Sequence, residues 1–183
     1  IWVISFANFF VYTVRYSILD WGPMFLSEMK GSRLHHAGWI VAGYEIAGIL
    51  GMLVSGWMMD KVFKGRGGRA CFFYMAACTV CVFLFWRLNS ASLAVNGLLL
   101  FGVGFFIYGP QCLIGVIAAN LATKRAAATA NGVTGIFGYL SGVLSGWGLG
   151  LLVQTYGWNA GFMMISLAGL VAMVLFVFVW NVK

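Results

Sequence analysis

The chain has 183 residues, 62% of them hydrophobic and only 8% charged, with 11 Lys and Arg against 4 Asp and Glu and a mean hydropathy of +0.96. Globular chains carry roughly 25% charged residues because a water-facing shell needs them, so this composition excludes a soluble domain. The net charge of +7 would suggest nucleic acid in a soluble protein, but here the basic residues gather in short connections between apolar runs, which is the pattern of membrane topology.

Crossing about 30 Å of hydrocarbon takes roughly 20 apolar residues per helix, leaving room for about six spans. The apolar stretches are continuous and do not alternate with period two, so a β-barrel fits poorly and an all-α integral membrane bundle is expected. Ile1 opens inside an apolar run with neither a basic leader nor a small-residue cleavage site, as a fragment of a longer chain would. The first span is predicted over 1–22, ending at Pro23 and followed by a polar loop over 27–36 that holds the doublet His35-His36, read as polar surface. The second covers 38–59 and stops at Asp60, where a short glycine-rich loop over 60–69 carries Lys61, Lys64, Arg66 and Arg69. The third covers 70–86 and turns at Arg87-Leu88-Asn89. The fourth covers 91–122 and should kink at Pro110, because proline removes a backbone donor and clashes with the preceding turn. The fifth covers 127–153 and the sixth 159–182. Alternating sides puts Lys61, Lys64, Arg66, Arg69, Lys124, Arg125 and Lys183 on one face and Lys30, Arg33 and Arg87 on the other. The positive-inside rule then places both ends in the cytoplasm.

Three charges lie inside spans, Arg15 and Asp20 in the first and Glu45 in the second. Insertion scales put each at about 2.5–3.5 kcal/mol at the bilayer centre, so such residues face a cavity or a partner. Arg15 could pair with Glu45 or Asp20 as a packing clamp. A guanidinium in a water-filled cavity is better suited to an anion, because its planar fork offers two hydrogen bonds to a phosphate or carboxylate and it cannot lose its proton. Tyr12, three positions earlier, could address the same ligand, or serve as an interfacial or core tyrosine. Asp20 lies roughly 140° round the helix from Arg15, a poor geometry for an intrahelical pair. Two acids against one base inside the membrane call for a further cation from outside this fragment.

Gly138, Gly142 and Gly146 recur every fourth residue, two overlapping GxxxG units with Gly135 close by, and predict tight helix contact or a smooth face for rocking. Cys78 and Cys81 match CxxC, but all four cysteines lie in apolar spans without a second ligand pair, so packing is expected and no metal or other cofactor. The absence of HExxH, GxSxG and Walker A patterns points away from an enzyme, and no catalytic residue is assigned.

Gly56-Trp-Met-Met-Asp60-Lys61, trailed by Arg66 and Arg69, resembles the G-x-x-x-D-[RK] loop signature of the major facilitator superfamily. By bare physics an acid at a helix end beside basic residues can also form a charge cluster that holds one gating state. Three further segments, Arg15-Tyr-Ser-Ile-Leu-Asp20-Trp21, Tyr108-Gly-Pro-Gln111-Cys-Leu-Ile-Gly115 and Gly132-Val-Thr-Gly-Ile-Phe-Gly-Tyr139, resemble the second half of organophosphate:phosphate antiporters. That resemblance implies the C-terminal six-helix half of a twelve-helix fold in a bacterial inner membrane, with the N-terminal half upstream of Ile1. It implies that Arg15 and an arginine of the other half grip phosphate near the midplane and that Tyr12, Tyr108, Tyr139 and Gln111 line the cavity. By the same likeness Asp20 and Glu45 pair with a lysine of the other half. The implied activity is exchange of an organophosphate, hexose 6-phosphate or glycerol 3-phosphate, for inorganic phosphate by alternating access. In one hexose-phosphate branch an aspartate and a lysine stand where this chain has Asn131 and Thr134. That departure admits a related receptor, which senses external glucose 6-phosphate and signals to a membrane-bound kinase.

Overall fold

In the computed structural model, residues 1–31, 34–88 and 92–182 are described, with backbone alone at 34–37. The elements are α1 (Trp2–Lys30), α2 (Leu34–Lys61), α3 (Gly67–Arg87), α4 (Leu93–Leu121), α5 (Ala127–Val143), a π-helical turn (Leu144–Gly148), α6 (Leu149–Tyr156) and α7 (Trp158–Phe178). The turn joins α5 and α6 into one crossing, so among the described residues six helices are long and apolar enough to span a membrane. Arg33, Asn89 and Lys183, which enter the predicted loops and charge count, lie outside the described residues.

The predicted end of the first span is wrong by two turns. Pro23 sits inside α1, because the residues beyond it carry core contacts that outweigh one lost backbone donor. Phe25 and Leu26 are buried, and Phe25 packs its ring on Phe85, Trp158 and Phe162. The helix stops at Gly31, whose left-handed backbone (φ 66°) lets its N–H reach the Leu26 carbonyl. At 29 residues, or roughly 43 Å, α1 outruns the hydrocarbon thickness, so its polar last turns stand at the water interface. The ends of α1 and α2 therefore take up most of the expected loop over 27–36, and His35-His36 has helical backbone in the first turn of α2.

The basic loop is also shorter than predicted, since α3 begins at Gly67. Gly67 and Gly68 are buried there, and a side chain at Gly68 would overlap the Val179 carbonyl. At the far end the chain leaves α7 at Phe178, four residues before the predicted limit, and Trp180 turns onto the rings of Phe72 and Phe73. The fourth span runs through Pro110 as one helix.

One continuous apolar core joins α1, α3, α4 and α7, with α2 against α4 and α5 against α1. Van der Waals contact, not the hydrophobic effect, drives helix association in lipid, so the closest approaches fall at small residues. The tightest lie between α2 and α4: a Cβ at Gly51 would overlap the Phe105 carbonyl, and one at Gly104 the Tyr44 carbonyl. This corrects the expectation for the fifth span. Gly138 is buried against Asn8 and Tyr12 of α1, but a Cβ at Gly142 or Gly146 would meet nothing within 4 Å. The π turn that follows Val143 shifts Gly146 off the helical register of Gly138 and Gly142.

Adding a side chain to an interhelical glycine costs about 1–3 kcal/mol when neighbours cannot give way. Gly104→Val should therefore lower the thermal unfolding midpoint in detergent by several degrees, whereas Gly142→Ala should leave it unchanged; scanning fluorimetry of the two variants separates them.

Candidate functional site

Arg15 stands midway along α1, half-buried, on the side of the bundle shared with α2, α4 and α5. Its Nη2 donates to the Tyr108 hydroxyl of α4 at 2.7 Å, and that hydroxyl donates in turn to Glu45 Oε2 of α2 at 2.5 Å. Arg15 thus reaches Glu45 through a tyrosine, which modifies the direct clamp that charge counting allows. The guanidinium carbon also lies 4.6 Å from the centre of the Tyr108 ring, 5.6 Å from Tyr16 and 5.8 Å from Tyr12. Aromatic faces are electron-rich and hold the cation without consuming its N–H groups.

Packing fixes Tyr108. Tyr108 is buried, its ring meets Tyr44 at 6.0 Å between centroids, and it occupies the space where Gly48 has no side chain. The close approach of α2 and α4 through Gly51 and Gly104 brackets this contact, so the same glycines that let the backbones touch bring Glu45 within reach of Tyr108. Tyr16, Tyr44 and Gly48 are parts of the arrangement that sequence reading did not single out. Tyr12 and Tyr16 are spaced i, i+4, as are Tyr44 and Gly48, so helical spacing around the buried charges was the available signal.

On the open side, Tyr12 meets Tyr16 at 5.4 Å and Tyr139 at 6.4 Å between ring centres. The Gln111 side chain lies close to Tyr12. Tyr139 is 74% exposed, which makes it the outer edge of the cluster. Among the described residues the buried Nε of Arg15 and Oε1 of Gln111 have no partner, one donor and one acceptor beside each other's tyrosines. A cation with donors to spare, walled by phenols, has the chemistry to suit an anion.

The other expected residues lie apart from this group. Asp20 is exposed further along α1. Thr134 is buried against α1, its carbonyl accepting from Asn8 Nδ2 at 2.7 Å, while Asn131 is exposed. Asp60 and Lys61 end α2 in exposed positions, Gly56 faces open space and Arg66 caps α3. Arg69 does not join the expected cluster with Asp60. Its Nη2 donates to Asn181 at 2.9 Å and its guanidinium lies 5.4 Å from the Trp180 ring, so it pins the chain after α7 to the start of α3.

The chain matches the Major Facilitator Superfamily over residues 1–146. It is 40% identical to a glycerol-3-phosphate transporter of Bacillus subtilis, the alignment covering 99% of this chain and 41% of that protein. A probable hexose phosphate transport protein of Chlamydia trachomatis is 37% identical over 99% of the chain and 40% of its own length. The membrane sensor protein UhpC of Escherichia coli is 39% identical over 97% of the chain and 41% of its own length. The chain therefore spans about two fifths of the length of the curated relatives it matches. With most of its length and its first four spans inside the family match, the chain belongs to the Major Facilitator Superfamily.

Proposed function

We propose that the protein containing this chain is a secondary transporter that exchanges an organophosphate for inorganic phosphate by alternating access, with Arg15 as the phosphate-gripping residue of this half. The carrying observation is the Arg15–Tyr108–Glu45 relay, which holds a permanent cation at mid-span and, among the described residues, engages one of its five N–H groups in a hydrogen bond. Phosphate would take the remaining fork in bidentate fashion, and Tyr12, Tyr139 and Gln111 would meet the organic part. A matching arginine from the other half would complete the grip, and a lysine there would answer Asp20 and Glu45. Neutralising the two arginines lowers the barrier to closing the halves over the site, so a loaded carrier crosses and an empty one does not. No ATP is consumed, and Gly56, Asp60, Lys61 and Arg66 act as a gating loop at the membrane face. The site needs no metal or cofactor and forms no bond, so the reading is transport and not catalysis. Both ends of this chain lie in the cytoplasm by the positive-inside rule, in a bacterial inner membrane.

Hexose 6-phosphate is the preferred organophosphate in this reading. Glycerol 3-phosphate is the second, favoured by the transporter from Bacillus subtilis at 40% identity. A sensor is the third, favoured by the 39% identity to UhpC and by Asn131 and Thr134 in the fifth span. A purely structural bundle leaves the intramembrane charges without use.

Arg15→Lys keeps the charge but loses the bidentate fork, and should reduce phosphate exchange in proteoliposomes by about ten- to a hundredfold with membrane insertion intact. Wild-type kinetics in that variant would remove Arg15 from the mechanism. Competition by hexose 6-phosphate against glycerol 3-phosphate names the substrate, and binding without exchange identifies a sensor.

Tyr108→Phe leaves ring packing in place but removes the hydroxyl that both Arg15 and Glu45 need. Isothermal titration should show phosphate affinity falling about tenfold, since hydrogen bonds to charged groups are each worth about 1.5–3 kcal/mol.

A further inference from the structure

At the end of the bundle away from the basic loop, α1, α3 and α7 converge on a second cationic pocket of about 240 Å³ that the transport reading does not use. Lys30 and Arg87 line it together with Phe25, Trp86 and Trp158. Lys30 is built in: its Nζ donates to the Phe85 carbonyl at 2.7 Å and to Asn96 Oδ1 at 2.6 Å, and lies 4.4 Å from the centre of the Phe85 ring. An ammonium has three N–H groups, so one remains for a further acceptor. The Arg87 guanidinium sits 4.7 Å from the centre of the Trp86 ring. Asn159, in the first turn of α7, lines the same pocket and accepts from Trp86 Nε1 at 3.0 Å. The carboxylate nearest in sequence, Glu28, is not part of the lining; it accepts from Trp158 Nε1 at 2.9 Å. Two cations against one anion leave the region positive.

The pocket continues into an apolar groove. Trp86 and Arg87 also line a cavity of about 470 Å³ running between α3 and α7, walled by Phe83, Met163, Leu167 and Leu170. These walls are exposed and lie on helices that contribute none of the intramembrane charges, so they form a lipid-facing surface. Three tryptophan or phenylalanine rings beside two cations at helix ends mark the interfacial depth, where headgroups lie. A free phosphate would have no use for the groove, and an acyl chain alone none for the cations. The faces of Phe25 and Trp86 that could cradle a choline are already occupied by Lys30 and Arg87.

We propose that this site holds an anionic phospholipid, its phosphate between Lys30 and Arg87 and one acyl chain in the groove between α3 and α7. Cationic pockets between membrane helices recognise headgroups in this way, with each basic residue worth about fivefold in affinity. The site shares no residue with the Arg15 cluster and stands whether or not the transport reading holds.

Native mass spectrometry of the intact protein with phosphatidylglycerol or phosphatidylcholine of matched chains tests it. Phosphatidylglycerol should be retained preferentially, Arg87→Gln should cut its retention about fivefold, and Met163→Trp, which fills the groove without touching a charge, should cut it as well. Arg15→Lys should leave retention unchanged. Equal retention of the two lipids, or no effect of either Arg87→Gln or Met163→Trp, overturns the proposal. Displacement of the lipid by millimolar inorganic phosphate or glycerol 3-phosphate would also overturn it, because the occupant would then be a soluble anion.

Discussion

A guanidinium that cannot shed its proton stands in the middle of a membrane-crossing helix, and much of the surrounding architecture answers that one charge. The answer is not a direct ion pair. A carboxylate docked bidentate on Arg15 would consume the fork and cancel the field, leaving nothing for a ligand. Placing the Tyr108 hydroxyl between Arg15 and Glu45 instead orients the guanidinium with one hydrogen bond while the carboxylate acts at one remove. The rings of Tyr12 and Tyr16 add electrostatic support from their faces, which costs no N–H group.

Such a relay works only if three helices are held in register to within a hydrogen bond. Glu45 is on α2 and Tyr108 on α4, so the separation of those two backbones decides whether the hydroxyl can serve both neighbours. Backbone contact at Gly51 and Gly104 removes the slack that side chains of ordinary size would introduce, and Gly48 opens the slot the Tyr108 ring fills. Packing and electrostatics are therefore one design here: the glycines hold the relay in place as much as its own hydrogen bonds do. Pro110 lies two residues from Tyr108 and is itself buried, in a helix that passes through it without a break.

Element existence was legible from the sequence because apolar length is a strong signal in lipid, and the charged residues of the site stood out because a charge inside a span is costly. Boundaries failed where local rules were overruled by contacts that the chain makes later. Pro23 reads as a stop, but Phe25 finds Phe85 and Phe162 some 60 and more residues on, and Lys30 finds the end of α3. The glycine spacing of the fifth span allows tight contact or a smooth face for rocking; a close contact forms at Gly138, and the π turn that shifts Gly146 off register has no local sequence signature. Tyr108 as partner of both Arg15 and Glu45 could not be read at all from spacing, since the three residues are joined only by the packing of α1 and α2 against α4.

The π turn itself has a physical partner in α1. Widening the helix at Leu144–Gly148 loosens the regular i→i−4 ladder, and the Ser145 carbonyl accepts from Trp21 Nε1 at 3.0 Å. The Trp21 ring then lies 3.2 Å from where a side chain at Gly150 would begin, so the indole is wedged against the crossing just beyond the turn. Below the turn, Gly138 seats Asn8 and Tyr12; above it, Gly150 seats Trp21. The fifth crossing is thus fastened to α1 on both sides of its irregular segment, while a Cβ at Gly142 or Gly146 between them would meet nothing within 4 Å.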